Sequence, residues 1–308
     1  MKSKNRATVV AYLGICAVIL IWGFIPSVKK ALIGDSFSAS VYMTVTAFSS
    51  AVALLVLSAK HLKHLNREYF KVAVPTGLCV GVAALAQALA YNFNASPVNQ
   101  AFLENISCIV VPVILFFLIK KRPNTLTVVA CVLCMLSSVV LTGVFKNGAS
   151  FCTADILNAL AGVFYGVNIA FTGIYAKKFI ASLYVMIQLF VQGFFALGMV
   201  VAFNFISIGG APIDPFVFTP SILLVLALVG IGIVTNSVCW TIRTTAMKHV
   251  SPTVVAIIMP FSAVVTGLFA VIIGQDTLSS SLVIGAVLGI AAGVISGFGD
   301  MEKKEKTE

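Results

Sequence analysis

The chain of 308 residues is 60% hydrophobic and 10% charged, with a mean hydropathy of +1.07. Because soluble domains carry about 25% charged residues, this composition excludes a soluble enzyme or binding domain. The net charge of +10 would suit a nucleic-acid-binding protein, but the basic residues lie in short segments between apolar runs. That placement is typical of membrane proteins, and no nucleic-acid partner is predicted.

Ten apolar runs follow one another, each close to the roughly 20 residues that a membrane-spanning helix needs. They cover residues 8–28, 38–59, 72–92, 98–119, 125–145, 154–175, 180–206, 220–241, 251–274 and 280–299. The basic opening MKSKNR imitates a signal peptide, but the long run and the further spans after it indicate a retained first helix. The predicted fold is an all-α membrane protein with ten transmembrane helices.

The basic residues predict the orientation. With a cytoplasmic N-terminus, seventeen of the twenty Lys and Arg residues lie on the cytoplasmic side, and Lys29, Lys30 and Lys146 lie outside. The positive-inside rule therefore predicts a multi-pass protein of the cytoplasmic membrane with both termini in the cytoplasm. Lys29 and Lys30 are expected at the outer mouth, and Arg243 is expected to snorkel at the cytoplasmic end of the eighth helix.

The two halves of the sequence resemble each other. ASPVNQAFLEN (95–105) aligns with VSPTVVAIIMP (250–260), and IWG (21–23) aligns with FYG (164–166). Since each half holds an odd number of spans, the second copy must insert upside down, as in many secondary transporters. The prediction is a first five-helix repeat over 1–150 and a second, inverted repeat with a short cytoplasmic tail over 151–308, around a central cavity.

Three segments carry a resemblance to the drug/metabolite transporter superfamily, in its ten-helix EamA-type branch. The family's first-helix pattern resembles IWGFIPSVKKAL (21–32), and its fourth helix resembles NASPVNQAFLENISCIVVPVILFFLIKKRPN (94–124). Its ninth helix is similar to AMKHVSPTVVAIIMPFSAVVTGLFAVIIGQDTL (246–278). The resemblance implies a central cavity between inverted repeats and transport by alternating access.

Glu104 is the one carboxylate clearly inside a predicted span. Gln100, Glu104 and Ser107 fall on one helical face, with Asn105 at its border. Ionisable residues within membrane spans usually face a cavity or a partner. Three roles stay open for Glu104: it balances a cationic substrate, it carries a coupling proton, or it holds helices together by hydrogen bonds.

Trp22, Tyr165 and Trp240 are the aromatic residues expected near the cavity, and Gln87 is the amide expected there. An ammonium group gains about 0.5–2 kcal/mol from each aromatic face it contacts. Aromatic walls and one carboxylate would therefore suit a small organic cation such as choline, and some members of the superfamily carry such amines. Interfacial anchoring or helix packing is the alternative for each aromatic.

Two further patterns predict packing rather than chemistry. Cys131 and Cys134 form a CxxC inside an apolar helix, which indicates inert thiols, so neither a metal nor a cofactor is predicted. Helix ten carries small residues at every fourth position, which favours close packing inside a monomer over a homodimer seam. These glycines are Gly285, Gly289, Gly293 and Gly297.

The sequence therefore predicts a secondary transporter of a small metabolite, not an enzyme, with the lipid bilayer and a cationic substrate as its partners. The alternative is a proton-coupled transporter of neutral or zwitterionic metabolites such as amino acids. A channel is the alternative from another class. An intramembrane protease, suggested by GFGD (297–300), lacks the second aspartate in a facing span.

Overall fold

The computed structural model describes residues 2–32, 36–93, 100, 103–120, 122–142, 152–208, 211–219, 221–274 and 280–305. Within these ranges the α-helices are α1 (Lys2–Leu32), α2 (Ala39–Leu57), α3 (Arg67–Leu89), α4 (Ser107–Ile119), α5 (Thr125–Thr142), α6 (Thr153–Tyr175), α7 (Ala181–Phe205), α8 (Ile222–Gly232), α9 (Cys239–Ala246), α10 (Pro252–Ile258), α11 (Phe261–Ile272) and α12 (Ser280–Glu305). Short 3₁₀ turns cover Ala59–His64, Ala90–Phe93 and Glu104–Ile106. A π-helical turn, Ile233–Val238, joins α8 to α9.

Each apolar run of the sequence contains helix. In the described part of the chain, eight helices are long and apolar enough to cross a membrane. Two shorter apolar helices, Glu104–Ile119 and Thr125–Val140, occupy the fourth and fifth runs. The predicted all-α membrane fold is confirmed, whereas the count of ten crossings stays a prediction.

The start of α2 is fixed by a segment distant in sequence. Two short antiparallel strands, β1 (Ser207–Ile208) and β2 (Ala211–Pro212), lie in this segment, and Phe218 makes an isolated β-bridge with Phe37. These contacts carry the connection after α7 across the N-terminal end of α2. They place Asp214 directly at that helix end.

Asp214 caps α2. Its carboxylate is 2% exposed and accepts hydrogen bonds from the backbone amides of Ala39 (3.0 Å) and Ser40 (2.8 Å). The Ser40 hydroxyl (2.6 Å) and the side-chain amide of Asn92 (3.0 Å) also donate to it. The first amides of a helix have no partner within the helix and favour a negative charge, so this carboxylate satisfies them.

Replacing Asp214 by alanine should lower the free energy of unfolding by about 2–3 kcal/mol, because buried donors lose a charged acceptor. The free energy of unfolding of Asp214→Asn should lie between those of the wild type and of Asp214→Ala, since an amide keeps one oxygen acceptor. The measurement is thermal unfolding of the purified protein in detergent. Asp155→Ala is the control, since the contacts described for the Asp155 carboxylate are capping contacts at the more exposed start of α6. Equal shifts for both alanine variants would contradict the capping role of Asp214.

The helices pack in matched pairs. α1 packs on α11 and on α9, while α6 packs on α4 and on α3. α3 also packs on α7, and α8 with its following π turn packs on α2. The two remaining large contacts join α2 to α7 and α5 to α12. Among these large contacts, α1 therefore contacts helices of the second half in the same way as α6 contacts helices of the first half.

Two glycines allow the matched approach of α1 to α11 and of α6 to α4. A Cβ on Gly23 would overlap Val265 and lie 2.9 Å from the carbonyl oxygen of Ser262. A Cβ on Gly166 would lie 2.7 Å from the Cβ of Val110. These are the glycines of the IWG and FYG segments, so the correspondence in sequence coincides with two equivalent close contacts.

Gly23→Ala should destabilise the protein by about 1–3 kcal/mol, because an overpacked contact against a backbone oxygen is not relieved by a rotamer change. Gly198→Ala is the matched control, because a Cβ at this helical glycine meets no atom within 4 Å. The control should be neutral or stabilising by up to about 1 kcal/mol, since alanine favours helix. Thermal unfolding of both variants checks the prediction, and a neutral Gly23→Ala would contradict the close approach.

The glycine stripe of α12 packs within the chain over most of its length. The Ser137 hydroxyl on α5 donates to the carbonyl of Gly285 at 2.7 Å. A Cβ on Gly289 would lie 3.4 Å from the Ser137 Oγ, and one on Gly293 would lie 3.1 Å from the Phe261 ring. These contacts agree with packing inside a monomer, while the oligomeric state stays a prediction.

Candidate functional site

A cavity of about 150 Å³ lies between the two halves of the helix bundle. All seven residues predicted for a binding site line it. They are Trp22, Gln87, Gln100, Glu104, Asn105, Tyr165 and Trp240. The fold thus brings together residues that lie far apart in the sequence and that belong to both halves.

One end of the lining is a polar cluster around Glu104. The side-chain amide of Gln87 donates to Glu104 Oε1, and the ammonium of Lys29 donates to Gln87 Oε1. Gln100 Nε2 donates to the same Glu104 oxygen at 3.2 Å. The Tyr91 hydroxyl contacts Gln100 Oε1. Gln87 therefore bridges a carboxylate and an ammonium, whose opposite charges attract each other.

The backbone at Glu104 is a 3₁₀ turn, Glu104–Ile106, where the sequence predicts one face of an α-helix. Gln100, Glu104 and Ser107 all line the cavity. Asn105 also reaches the lining, but its amide is engaged in a contact between helices, since Nδ2 donates to the Ser138 hydroxyl at 3.2 Å. Met259, the residue that aligns with Glu104 in the second half, lines the same cavity.

The other end of the lining is built from aromatic rings and an arginine. The ring centroids of Trp22 and Trp240 are 5.9 Å apart, and those of Tyr165 and Trp240 are 6.2 Å apart. The guanidinium carbon of Arg243 lies 4.1 Å from the Trp240 ring centroid and 5.5 Å from that of Trp22. The aromatic faces therefore already hold a cation, and that cation belongs to the protein.

Arg243 is 2% exposed and makes one described hydrogen bond, from Nη2 to the Asn168 Oδ1 at 2.8 Å. Among the described residues its Nε has no hydrogen-bond partner, and no carboxylate accepts from it. The expectation that Arg243 snorkels to the cytoplasmic surface is wrong. The helix continues to Ala246, beyond the predicted end of the run, and turns Arg243 into the bundle.

A hydrogen-bond network holds Asn168 beneath the guanidinium. Asn168 Nδ2 donates to the Thr76 carbonyl at 3.3 Å, and Gln188 Nε2 donates to the Thr76 hydroxyl at 2.9 Å. The Tyr184 hydroxyl lies 2.8 Å from the same Thr76 hydroxyl and 3.3 Å from that of Thr172. This network joins α3, α6 and α7, so the position of Arg243 is fixed from three helices.

The π-helical turn Ile233–Val238 forms another part of the wall. Thr235 and Asn236 in this turn line the cavity, and the indole Nε1 of Trp22 donates to the Thr235 carbonyl at 3.1 Å. A π turn leaves backbone carbonyls without their usual helical partner and often occurs at functional sites. Here it orients a tryptophan of the first half against the second half.

Comparison with known proteins identifies the second half of the chain. Residues 153–298 match the EamA-like transporter family. The family indicates a membrane transporter of the drug/metabolite type, in agreement with the apolar helices of the fold.

A solved crystal structure has a similar fold over nearly the whole chain. It superposes with a TM-score of 0.72 over 97% of this chain and 98% of its own, at 14% sequence identity. At that identity the likeness concerns the fold alone. No curated protein matches the sequence.

Two charged residues of the cavity lining, Lys29 and Arg243, are not among the residues that the sequence predicts for the site. Both are at run ends in the sequence, where charges usually reach the membrane surface. The spacing of Trp240 and Arg243 at i and i+3 places both on one helical face. A residue predicted to line the cavity therefore indicates that Arg243 faces it too. The lining therefore carries two positive charges, Lys29 and Arg243, and one negative charge, Glu104.

Proposed function

We propose that this protein is a secondary transporter of a small zwitterionic metabolite, such as an amino acid, and that the central cavity binds it. The observation that carries the proposal is the buried guanidinium of Arg243 in the cavity wall, with no carboxylate partner among the described residues. An unpaired charge within a membrane is costly, and residues that carry one usually face a cavity and mark a substrate or ion site. The planar guanidinium suits a carboxylate, which accepts two parallel hydrogen bonds.

Glu104 is positioned to receive the ammonium of the same substrate. Its described hydrogen bonds from Gln87 and Gln100 both use Oε1. A substrate ammonium can therefore approach Oε2, while Lys29 remains bound to the Gln87 oxygen. A molecule with separated positive and negative groups matches a lining that carries both signs.

A lone organic cation such as choline has less support than a zwitterion. The faces of Trp22 and Trp240, which would form its aromatic cage, already contact the Arg243 guanidinium. A second cation placed there would meet a like charge at short range. A lone cation held at Glu104 instead would leave the Arg243 guanidinium without an anionic partner.

The matched helix pairs support a transport cycle of alternating access. In the proposed division, residues 1–150 and 151–308 form inverted repeats, and the cavity lies between them, as in other secondary transporters. The distribution of Lys and Arg supports cytoplasmic termini in the cytoplasmic membrane. Movement of one repeat against the other would expose Arg243 and Glu104 to each side in turn.

Uptake into proteoliposomes tests the proposal. The wild-type protein should show saturable uptake of a radiolabelled neutral amino acid, and unlabelled zwitterions should compete with it. The methyl ester of the same amino acid, which lacks the carboxylate, should compete at least about 100-fold less well. Uptake of choline that zwitterions do not inhibit would contradict the proposal and restore the cation hypothesis.

A further inference from the structure

A second, larger opening lies on the outside of the bundle, between α4 and α5. Its volume is about 690 Å³. Its walls are apolar side chains of the two helices and of the segment that connects them. The lining residues with the greatest exposure are Phe117, Val132, Val128, Val113 and Leu136. The opening is distinct from the central cavity, with which it shares no lining residue.

The opening exists because α4 and α5 pack on different neighbours. α4 packs on α6, and α5 packs on α12. The two helices are consecutive in the chain yet share only a small contact, so they leave a groove that faces the bilayer. The groove runs along α5 from Thr127 to Val139, about 18 Å, which is close to the roughly 15 Å of one hydrocarbon leaflet.

The polar atoms in the groove wall are engaged by the protein itself. The hydroxyl of Thr127 donates to the Asn124 Oδ1 at 2.6 Å. The Cys131 thiol donates to the Cys108 carbonyl at 3.2 Å. An occupant therefore meets a surface without free hydrogen-bonding groups among these side chains, as a hydrocarbon chain requires.

Basic residues mark one end of the groove. α4 ends at Lys120, whose φ of 51° places it in the left-handed region and reverses the chain toward α5. Lys120 and Arg122 are exposed, and Pro123, the next residue, lines the groove. Lys121 belongs to the same basic run in sequence but lies outside the described residues.

We infer that this groove binds an anionic phospholipid, with one acyl chain between α4 and α5 and the phosphate at Lys120 and Arg122. Basic residues at the end of an apolar cleft between membrane helices match the charge of such a head group. A second copy of the chain fits less well. A symmetric interface on this groove would bring two basic runs together.

Lipid titration of the purified full-length protein tests the inference. Native mass spectrometry would count palmitoyl-oleoyl phosphatidylglycerol bound to the wild type, and phosphatidylcholine with the same chains would be the neutral comparison. Wild type should bind phosphatidylglycerol about 10-fold more tightly or better. The double variant Lys120→Gln/Arg122→Gln should lose about 20- to 30-fold of that affinity. Lys60→Gln/Lys63→Gln is the matched control, since both residues are exposed basic residues of another connection, and it should change little.

Filling the groove separates the acyl-chain contact from the head-group contact. Val132→Phe should reduce the binding of both lipids, because the larger ring occupies the space of the chain. Equal binding of the two lipids, or equal losses in the two charge variants, would overturn the inference. A dimer that carries no lipid and dissociates on Val132→Phe would also overturn it, in favour of a second copy as the occupant.

Discussion

Arg243→Gln should lower kcat/KM for a zwitterionic substrate by about 100-fold or more. The variant removes the charged partner of a substrate carboxylate in a desolvated site, which typically costs about 2–5 kcal/mol. The same change removes the resident cation from the faces of Trp22 and Trp240. Choline affinity should therefore rise by about 5-fold, the value of one cation–π contact. Uptake and competition in proteoliposomes measure both effects.

Two further variants make this result specific. Arg243→Lys keeps the charge but loses the planar fork and the stacking on Trp240, so its loss of kcat/KM should be intermediate. Arg67→Gln removes an exposed arginine at the start of α3 and should leave transport unchanged. Thermal unfolding of each variant shows whether the fold is intact. Full activity in a folded Arg243→Gln protein would contradict the role of Arg243 in substrate binding.

Glu104→Gln should lower kcat/KM for a zwitterionic substrate by about 10-fold or more, because the variant removes the negative charge that faces the substrate ammonium. Glutamine still accepts hydrogen bonds from Gln87 and Gln100, so these contacts should be retained. The measurement is counterflow of a labelled amino acid in proteoliposomes, and unchanged counterflow would contradict the role of Glu104 in binding the ammonium. Unchanged counterflow with lost accumulation under an imposed pH gradient would assign Glu104 to a coupling proton instead.

The interaction between the charges of Lys29 and Glu104 can be measured with two single variants and the double variant. Lys29→Met leaves the carboxylate without its ammonium, and Glu104→Gln leaves the ammonium without its carboxylate. Each single variant should lower the free energy of unfolding by about 1–3 kcal/mol, because one charge in the cavity loses its partner. The double variant should be more stable than the sum of the two losses predicts. Additive losses would show that the two charges do not interact.

Sequence patterns identify several residues of the cavity lining but give the wrong position for Arg243. Glu104 was found because a carboxylate inside an apolar run has few explanations. Trp22 and Tyr165 were found because each precedes a glycine in corresponding segments, and the structure shows that these glycines allow close helix contacts. Arg243 was misplaced because its depth depends on where the helix ends and which way it faces, and apolar runs do not define either.

The choice between a cation and a zwitterion depended on contacts that no linear pattern contains. Carboxylate and aromatic residues alone suggested a cage for a cation. Once the chain is folded, Arg243 lies on the faces of two tryptophans, and Lys29 reaches the carboxylate through Gln87. The lining gains two positive charges from residues that the sequence places at the ends of membrane runs.

The sequence by itself determined the class of this protein. Its apolar runs require helices that satisfy their own backbone hydrogen bonds in lipid, and its family motifs indicate a transporter. Only the tertiary structure decided what the cavity offers to a substrate. Side chains from α1, α3, α6 and α9 meet there through contacts between distant segments. The π turn, the cap of α2 by Asp214 and the burial of Arg243 all arise from that packing, because each depends on partners that are remote in the chain.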